Sequence, residues 1–295
     1  MIRGGPSARM AAVATPEITL GVTLAVLGAG FLHALWNALL KSSAGDPVLD
    51  TSLIIAGSSI VAFVVLPFVG VPAVASWRFM ALSAAIHFGY YVTLAGAYHR
   101  GDLSFAYPLM RGVAPLIVTL LGVIFLGETP GAKTVLGIVL IASGIIVIAW
   151  FASGRHSPAA AGWALANAAI IALYTLVDGA GVRVSENPAG YVTWLIFLEG
   201  LPFLAWTYSR RGVAAARYIV IRWRRGLMGG AASLAAYGIV LWAMTQAPVA
   251  VVAALREVSV LFAALIGSFV LKEGLGWRRL AGAATVVAGV AALKL

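Results

Sequence analysis

The chain has 295 residues, 62% hydrophobic and only 10% charged, with a formal net charge of +10 and a mean hydropathy of +0.99. An ordinary soluble domain is about a quarter charged, so this chain cannot cover its own surface in water and lipid must be its solvent. The absence of cysteine excludes disulfides, thiol chemistry and Cys-ligated metal, and the basic residues lie between apolar runs rather than on one face, which argues against a nucleic-acid partner.

Residues 1–17, with Arg3, Arg9, Gly4, Gly5, Pro6 and Pro16, read as a short unstructured tail. The apolar run 18–40 is longer than a signal-peptide core of about 7–15 residues and lacks a small-residue cleavage site, so it is expected to be a first membrane span. About 20 apolar residues cross a bilayer core. Runs of that kind follow at 51–70, 79–98, 103–126, 133–152, 159–182, 190–208, 226–246, 248–271 and 277–294. The last is the weakest, because Arg278 and Arg279 cut into it. Charges and turn residues mark the breaks at Gly45-Asp46-Pro47, Arg100-Gly101-Asp102, Thr129-Pro130-Gly131, Gly154-Arg155-His156 and Glu186-Asn187-Pro188. Only 210–225 is long enough to be more than a turn, and nothing remains for a soluble catalytic domain. The runs are continuously apolar, not alternating, which excludes a β-barrel. The expected fold is an all-α integral membrane protein with about ten transmembrane helices.

An internal repeat organises these spans. A shift of 145 residues lays Arg111 on Arg256, Glu128 on Glu273, Gly131 on Gly276, Gly137 on Gly282 and Gly144 on Gly289. A shift of 141 lays Gly21 on Gly162, Asn37 on Asp178 and Pro47 on Pro188. The division is then 18–152 and 159–294, five spans each. An odd number of spans forces the second copy into the membrane inverted, and inverted repeats around a midplane site are how many secondary transporters alternate access. The segments His33-Ala34-Leu35-Trp36-Asn37-Ala38-Leu39-Leu40-Lys41 and Phe125-Leu126-Gly127-Glu128-Thr129-Pro130, with the Gly137/Gly144 helix after the latter, carry a resemblance. With the repeat, the chain resembles the EamA-type transporters of the drug/metabolite transporter superfamily. The resemblance implies export or exchange of a metabolite or drug through a cavity lined mainly by the first, third, fourth, sixth, eighth and ninth spans.

Charged side chains near mid-bilayer cost about 2.5–3.5 kcal/mol on insertion scales and usually face a cavity or a partner. Arg111, Arg256, Asp178, Glu199 and Glu257 stand in such places. Arg111 follows Tyr107 by four residues on one helix face, with Pro108 between them and Pro115 beyond, each freeing a backbone carbonyl one turn earlier. A guanidinium there can grip a carboxylate or phosphate with two parallel hydrogen bonds; the alternative is a structural salt bridge. Arg256 is its mate in the repeat. Arg256 and Glu257 are adjacent, so on a continuous helix they diverge by roughly 100° and each is expected to find its partner elsewhere. Glu257, Glu199 and Asp178 are candidates for carrying a proton. Glu199 has no partner nearby in sequence and Pro202 is expected to break the helix beyond it; Asp178 has the alternative of an interfacial residue near Arg183. His33, Trp36, Asn37 and Leu40 form one stripe, and His87, Tyr90, Tyr91 and Tyr98 another, with Asn167, Tyr174 and Tyr237 on later spans. The candidate substrate-binding set is Arg111, Arg256, Tyr107, His33, Trp36, Asn37, Tyr90 and Tyr174. Trp77, Trp150, Trp163, Trp223 and Trp277 near span ends read as interfacial. The two glycine pairs at seven-residue spacing suit close helix pairing, within the chain or in a dimer.

His33 and His87 lack ligand spacing, so no metal is expected, nor any other cofactor. No G-x-x-x-x-G-K-[ST] loop for ATP is present. The leading reading is a non-enzymatic secondary transporter of a small metabolite, an amino acid or another molecule with an anionic group, acting as monomer or homodimer. The alternatives are a membrane-embedded enzyme on lipid or prenyl substrates, whose acid clusters are lacking, and a non-transporting assembly protein. Outside the spans, 12 Lys and Arg fall on one face and 6 on the other, six of the 12 in 210–225. That count would put both termini outside, whereas the resemblance implies a bacterial inner-membrane protein with both termini in the cytoplasm, which is the expectation adopted.

Overall fold

A computed structural model describes residues 18–41, 46–151, 157–263, 265 and 276–293, with the backbone alone at 38–41, 103 and 104. The tail 1–17, Gly45, Gly154-Arg155-His156, Lys272, Glu273, Lys294 and the side chains of Leu40 and Lys41 lie outside the described residues. The described chain is helical, with no strand among those residues. Its helices are α1 (Leu20–Lys41), α2 (Pro47–Val69), α3 (Trp77–Arg100), α4 (Leu103–Leu126), α5 (Ala132–Trp150), α6 (Pro158–Arg183), α7 (Pro188–Arg211), α8 (Val213–Ile221), α9 (Trp223–Gln246), α10 (Val249–Arg256) and α11 (Trp277–Ala292).

The foreseen turns at Asp46-Pro47 and Asn187-Pro188, and the start of α6 at Ser157-Pro158, work by one device. Asp46, Ser157 and Asn187 each accept a hydrogen bond from an amide in the next helix's first turn, at 2.9, 3.0 and 2.9 Å, and each is followed by Pro at the first helical position. The side chain satisfies an orphan N–H and Pro has none to satisfy. Gly127 ends α4 at φ +65°, a left-handed turn open to glycine. Pro202 does not break α7, which runs unbroken to Arg211, contrary to expectation.

Among the described residues eight helices are long and apolar enough to cross a membrane: α1 to α7 and α9. The run expected at 248–271 is interrupted after Arg256, and α11 has 16 residues, short of a typical span. The segment 210–225 becomes α8, a nine-residue helix too short to span.

The helix ends gather on two opposite faces. On one, Ser157 bonds the Arg100 carbonyl and Arg211 pairs with Asp46. On the other, Ala73 bonds Ser185, Asn187 bonds the Val69 carbonyl, and Arg183 meets Glu128. Between them α5 packs on α11, α3 on α6, α2 on α7 and α9, α1 on α9, and α4 on α5 and α6.

Glycines set the closest of these approaches. In α5 and α11 Gly144 faces Gly282 and Gly137 faces Gly289, so the two glycine pairs serve helix contact within the chain. A Cβ on Gly144 would stand 2.6 Å from the Gly282 carbonyl oxygen, and one on Gly282 would stand 2.7 Å from that of Gly144. The obstacle is backbone in both directions and cannot swing aside. Gly57 against Gly226 and Gly230 closes α2 on α9 in the same manner. Gly144→Ala or Gly282→Ala is therefore expected to cost about 1–3 kcal/mol by overpacking, read as a lowered Tm in detergent. Gly162→Ala, with open space around it, should leave the Tm unchanged or higher; equal loss in all three would refute the contact argument.

Candidate functional site

A cavity of about 130 Å3 lies at the centre of the bundle. Its wall includes all eight candidate substrate residues, His33, Trp36 and Asn37 from α1, Tyr90 from α3, Tyr107 and Arg111 from α4, Tyr174 from α6 and Arg256 from α10, together with Glu199. It takes more helices than the resemblance implied: α2 supplies Thr51, Ile54, Ile55 and Ser58, and α7 supplies Ile196, Glu199 and Gly200. Asp178 and Glu257 stand behind the wall.

Arg111 and Arg256, 3% and 4% exposed, share one carboxylate. Glu257 Oε2 is 2.5 Å from Arg111 Nε and Oε1 is 3.5 Å from Arg256 Nε. This corrects the expectation that the adjacent Arg256 and Glu257 could not meet. The divergence holds at the backbone, where α10 ends and the Glu257 and Val258 amides bond three residues back to Ala254 and Leu255; it is the length of the two side chains that brings Arg256 Nε and Glu257 Oε1 together. Both contacts fall on the Nε edge of the guanidinium. Arg256 Nη2 donates to the Tyr174 hydroxyl at 3.4 Å, while Arg111 Nη2 is buried with no hydrogen-bond partner. The local charge is two guanidinium groups against one carboxylate, and both guanidiniums border the cavity.

The opposite part of the wall is acidic and aromatic. Glu199 Oε1 accepts from the Tyr91 hydroxyl at 3.3 Å and Oε2 lies 3.2 Å from His87 Nδ1. That nitrogen also lies 3.0 Å from the Ser83 carbonyl and 3.1 Å from the Ser83 hydroxyl. A carbonyl oxygen only accepts, so the contact with Ser83 assigns the hydrogen to Nδ1. The His87 ring stacks on Tyr174 with centroids 4.2 Å apart, linking this end to Arg256.

Asp178 is fully buried and accepts from the hydroxyls of Tyr191, at 3.1 Å, and Tyr237. It lies five residues before the end of α6 at Arg183, on the side of the helix that faces the bundle interior. On α1, Asn37 donates to the His33 carbonyl at 2.7 Å and Trp36 Nε1 to His33 Nδ1 at 3.3 Å, so the stripe is held by its own contacts. Asn167 does not line the cavity; it bonds Thr93 and the Tyr90 carbonyl, at 2.8 and 3.0 Å, and fastens α6 to α3.

The sequence reading used Glu128 only to align the repeat and counted Arg183 as a loop charge. Glu128 Oε1 accepts from the Val249 amide at 2.6 Å and Oε2 from the Ala250 amide at 3.3 Å, capping α10. Arg183 bonds the Met244 and Ala247 carbonyls at the end of α9, at 2.8 and 3.1 Å, and reaches Glu128 at 3.4 Å. The signal was present: Thr245-Gln246-Ala247-Pro248 provides α10 with no side-chain cap of its own, so an acid had to come from elsewhere.

The model of the EamA-like transporter family matches residues 19–150 and again residues 159–295. The chain belongs to the EamA-like transporter family. It is thus a multi-pass membrane protein of a transporter family within the drug/metabolite transporter superfamily. This EamA-like protein is also similar to a solved structure titled only as the crystal structure of a protein. The two share 17% identity over 92% of this chain and 94% of that one, with a TM-score of 0.69, a likeness of fold alone. No curated protein matches the sequence.

Glu128→Ala should cost the EamA-like protein about 0.5–2 kcal/mol, the worth of a helix cap, seen as a lower Tm, with Glu128→Gln intermediate. A Tm unchanged by Glu128→Ala would deny the cap its role.

Proposed function

We propose that this protein is a secondary active transporter that moves a small molecule bearing one anionic group, an amino acid being one such molecule, by alternating access around the central cavity. The observation that carries this reading is the sharing of Glu257 by Arg111 and Arg256, which leaves one positive charge in excess at that end of the cavity and a buried Arg111 Nη2 donor unused. A buried charge without a partner is costly, so the site stores affinity for an anion that returns one negative charge and accepts the donor. The aromatic side chains of Trp36, Tyr90, Tyr107 and Tyr174 supply the apolar contact around it.

The proposed architecture is ten transmembrane helices in two inverted five-helix repeats, 18–152 and 159–294. Its support is that helix contacts come in matching pairs: α3 on α6 as α9 on α1, α2 on α9 as α7 on α3, and α4 on α6 as α10 on α1. The membrane is taken to be the bacterial inner membrane with both termini in the cytoplasm, following the family resemblance. A C-terminal reporter active only outside the cytoplasm would reverse that orientation.

Counterflow in proteoliposomes, with labelled amino acids, organic acids, sugar phosphates and cationic drugs, tests the function. Uptake of a monoanionic class is expected, reduced at least tenfold in Arg111→Ala and Arg256→Ala. Normal transport by both variants would sink the anionic-group reading. Glu257→Gln should raise the wall charge by one and shift preference toward dianions.

Glu199, with His87 against it, is the foremost proton carrier in this scheme, because it borders the cavity while Asp178 and Glu257 stand behind its wall. Glu199→Gln should keep exchange at equal pH on both sides and lose acceleration by an imposed pH gradient. A gradient response equal to that of the unmodified protein would remove Glu199 from coupling.

A further inference from the structure

The connection between α7 and α9 carries Arg210, Arg211, Arg217, Arg222, Arg224 and Arg225, and no Asp or Glu lies between 200 and 256. These six arginines make up the whole imbalance between the two faces of the molecule: without them the count of 12 against 6 becomes 6 against 6. Among the described residues only Arg211 has a carboxylate partner, Asp46 at 2.7 Å. Arg222 lies over the Tyr218 ring, 4.0 Å from its centroid. Arg210, Arg217, Arg224 and Arg225 are exposed.

The helix within this connection has two faces. Ala215 is buried, and the Tyr218 hydroxyl donates to Asp50 of α2, which fixes α8 against the bundle. Burial and that hydrogen bond push the Tyr218 phenol up to about 12, so it remains a neutral donor at ordinary pH. The outer face presents Val213, Val220 and Ile221, 74%, 68% and 63% exposed, with Arg217 among them. Trp223 and Tyr208 are exposed beside it. A short helix with apolar side chains outward and arginines at both ends is unsuited to water and too short to cross lipid. It suits the boundary layer, where apolar side chains enter the acyl region and cations meet headgroups.

We infer that the α7–α9 connection is a binding surface for anionic phospholipids. Val213, Val220 and Ile221 insert below the headgroups, and Arg210, Arg217, Arg224 and Arg225 bind the phosphates. The inference does not rest on transport, and its test needs none.

Purified full-length protein in neutral detergent is titrated with phosphatidylglycerol, with phosphatidylcholine and with inorganic phosphate, and Tm is followed. Phosphatidylglycerol is expected to raise Tm by a few degrees more than phosphatidylcholine, an excess weakened by salt, and inorganic phosphate to leave it unchanged. The excess should vanish when Arg210, Arg217, Arg224 and Arg225 are all replaced by Gln. Equal shifts with the two lipids, an equal shift with inorganic phosphate, or a full excess in the Gln variant would overturn the inference. Because the chain has no cysteine, Val220→Cys gives a unique labelling position independent of the arginine changes. A fluorophore there is expected to be quenched by bromine-bearing acyl chains in bilayers; quenching by aqueous iodide instead would also overturn it.

Discussion

One carboxylate holds the centre of this protein together. Glu257 lies between guanidiniums from α4 and α10, and all three side chains are removed from solvent. Taking any one away leaves a buried charge imbalance, and breaking a buried pair typically costs about 3–5 kcal/mol. The contact is possible because the side chains are long: from a tight turn whose amides bond three residues back, Glu257 reaches Arg111 on α4 and the neighbouring Arg256 alike.

The bundle around it is assembled by small residues rather than by a hydrophobic drive, since lipid is as apolar as the helices it would replace. Gly144 with Gly282, and Gly57 with Gly226, bring backbones into contact across helix pairs distant in sequence. Polar side chains then fix register between helices: Asn167 on Thr93, Ser52 on Thr207, Tyr191 on Asp178. Aromatic stacking completes the acidic end of the cavity, where His87 bridges Glu199 and Tyr174.

Most of the architecture was legible in the sequence because lipid imposes a coarse rule: long apolar runs separated by charges and turn residues. The capped starts of α2 and α7 follow directly from Asp46-Pro47 and Asn187-Pro188. The side chains gathered around the cavity were legible for a similar reason, since Arg111, Arg256 and Glu199 have no inexpensive place in a bilayer other than a polar centre. What escaped depends on local departures and distant partners. The turn after Arg256 has no Gly or Pro to announce it. Pro202 announced a break that α7 absorbs. The Glu128 cap joins residues more than a hundred positions apart, and the tyrosines that hold Asp178 come from two other helices.

The eight-residue length of α10 has a mechanical meaning. At about 1.5 Å per residue it is a strut of roughly 12 Å, tied at one end to Glu128 and Arg183 on a face of the bundle and ending at the other in Arg256. A rod that short does not bend appreciably, so a displacement at its capped end arrives at the cavity almost undiminished. The cap on that face and the arginine at the cavity wall are thus the two ends of one short, stiff element.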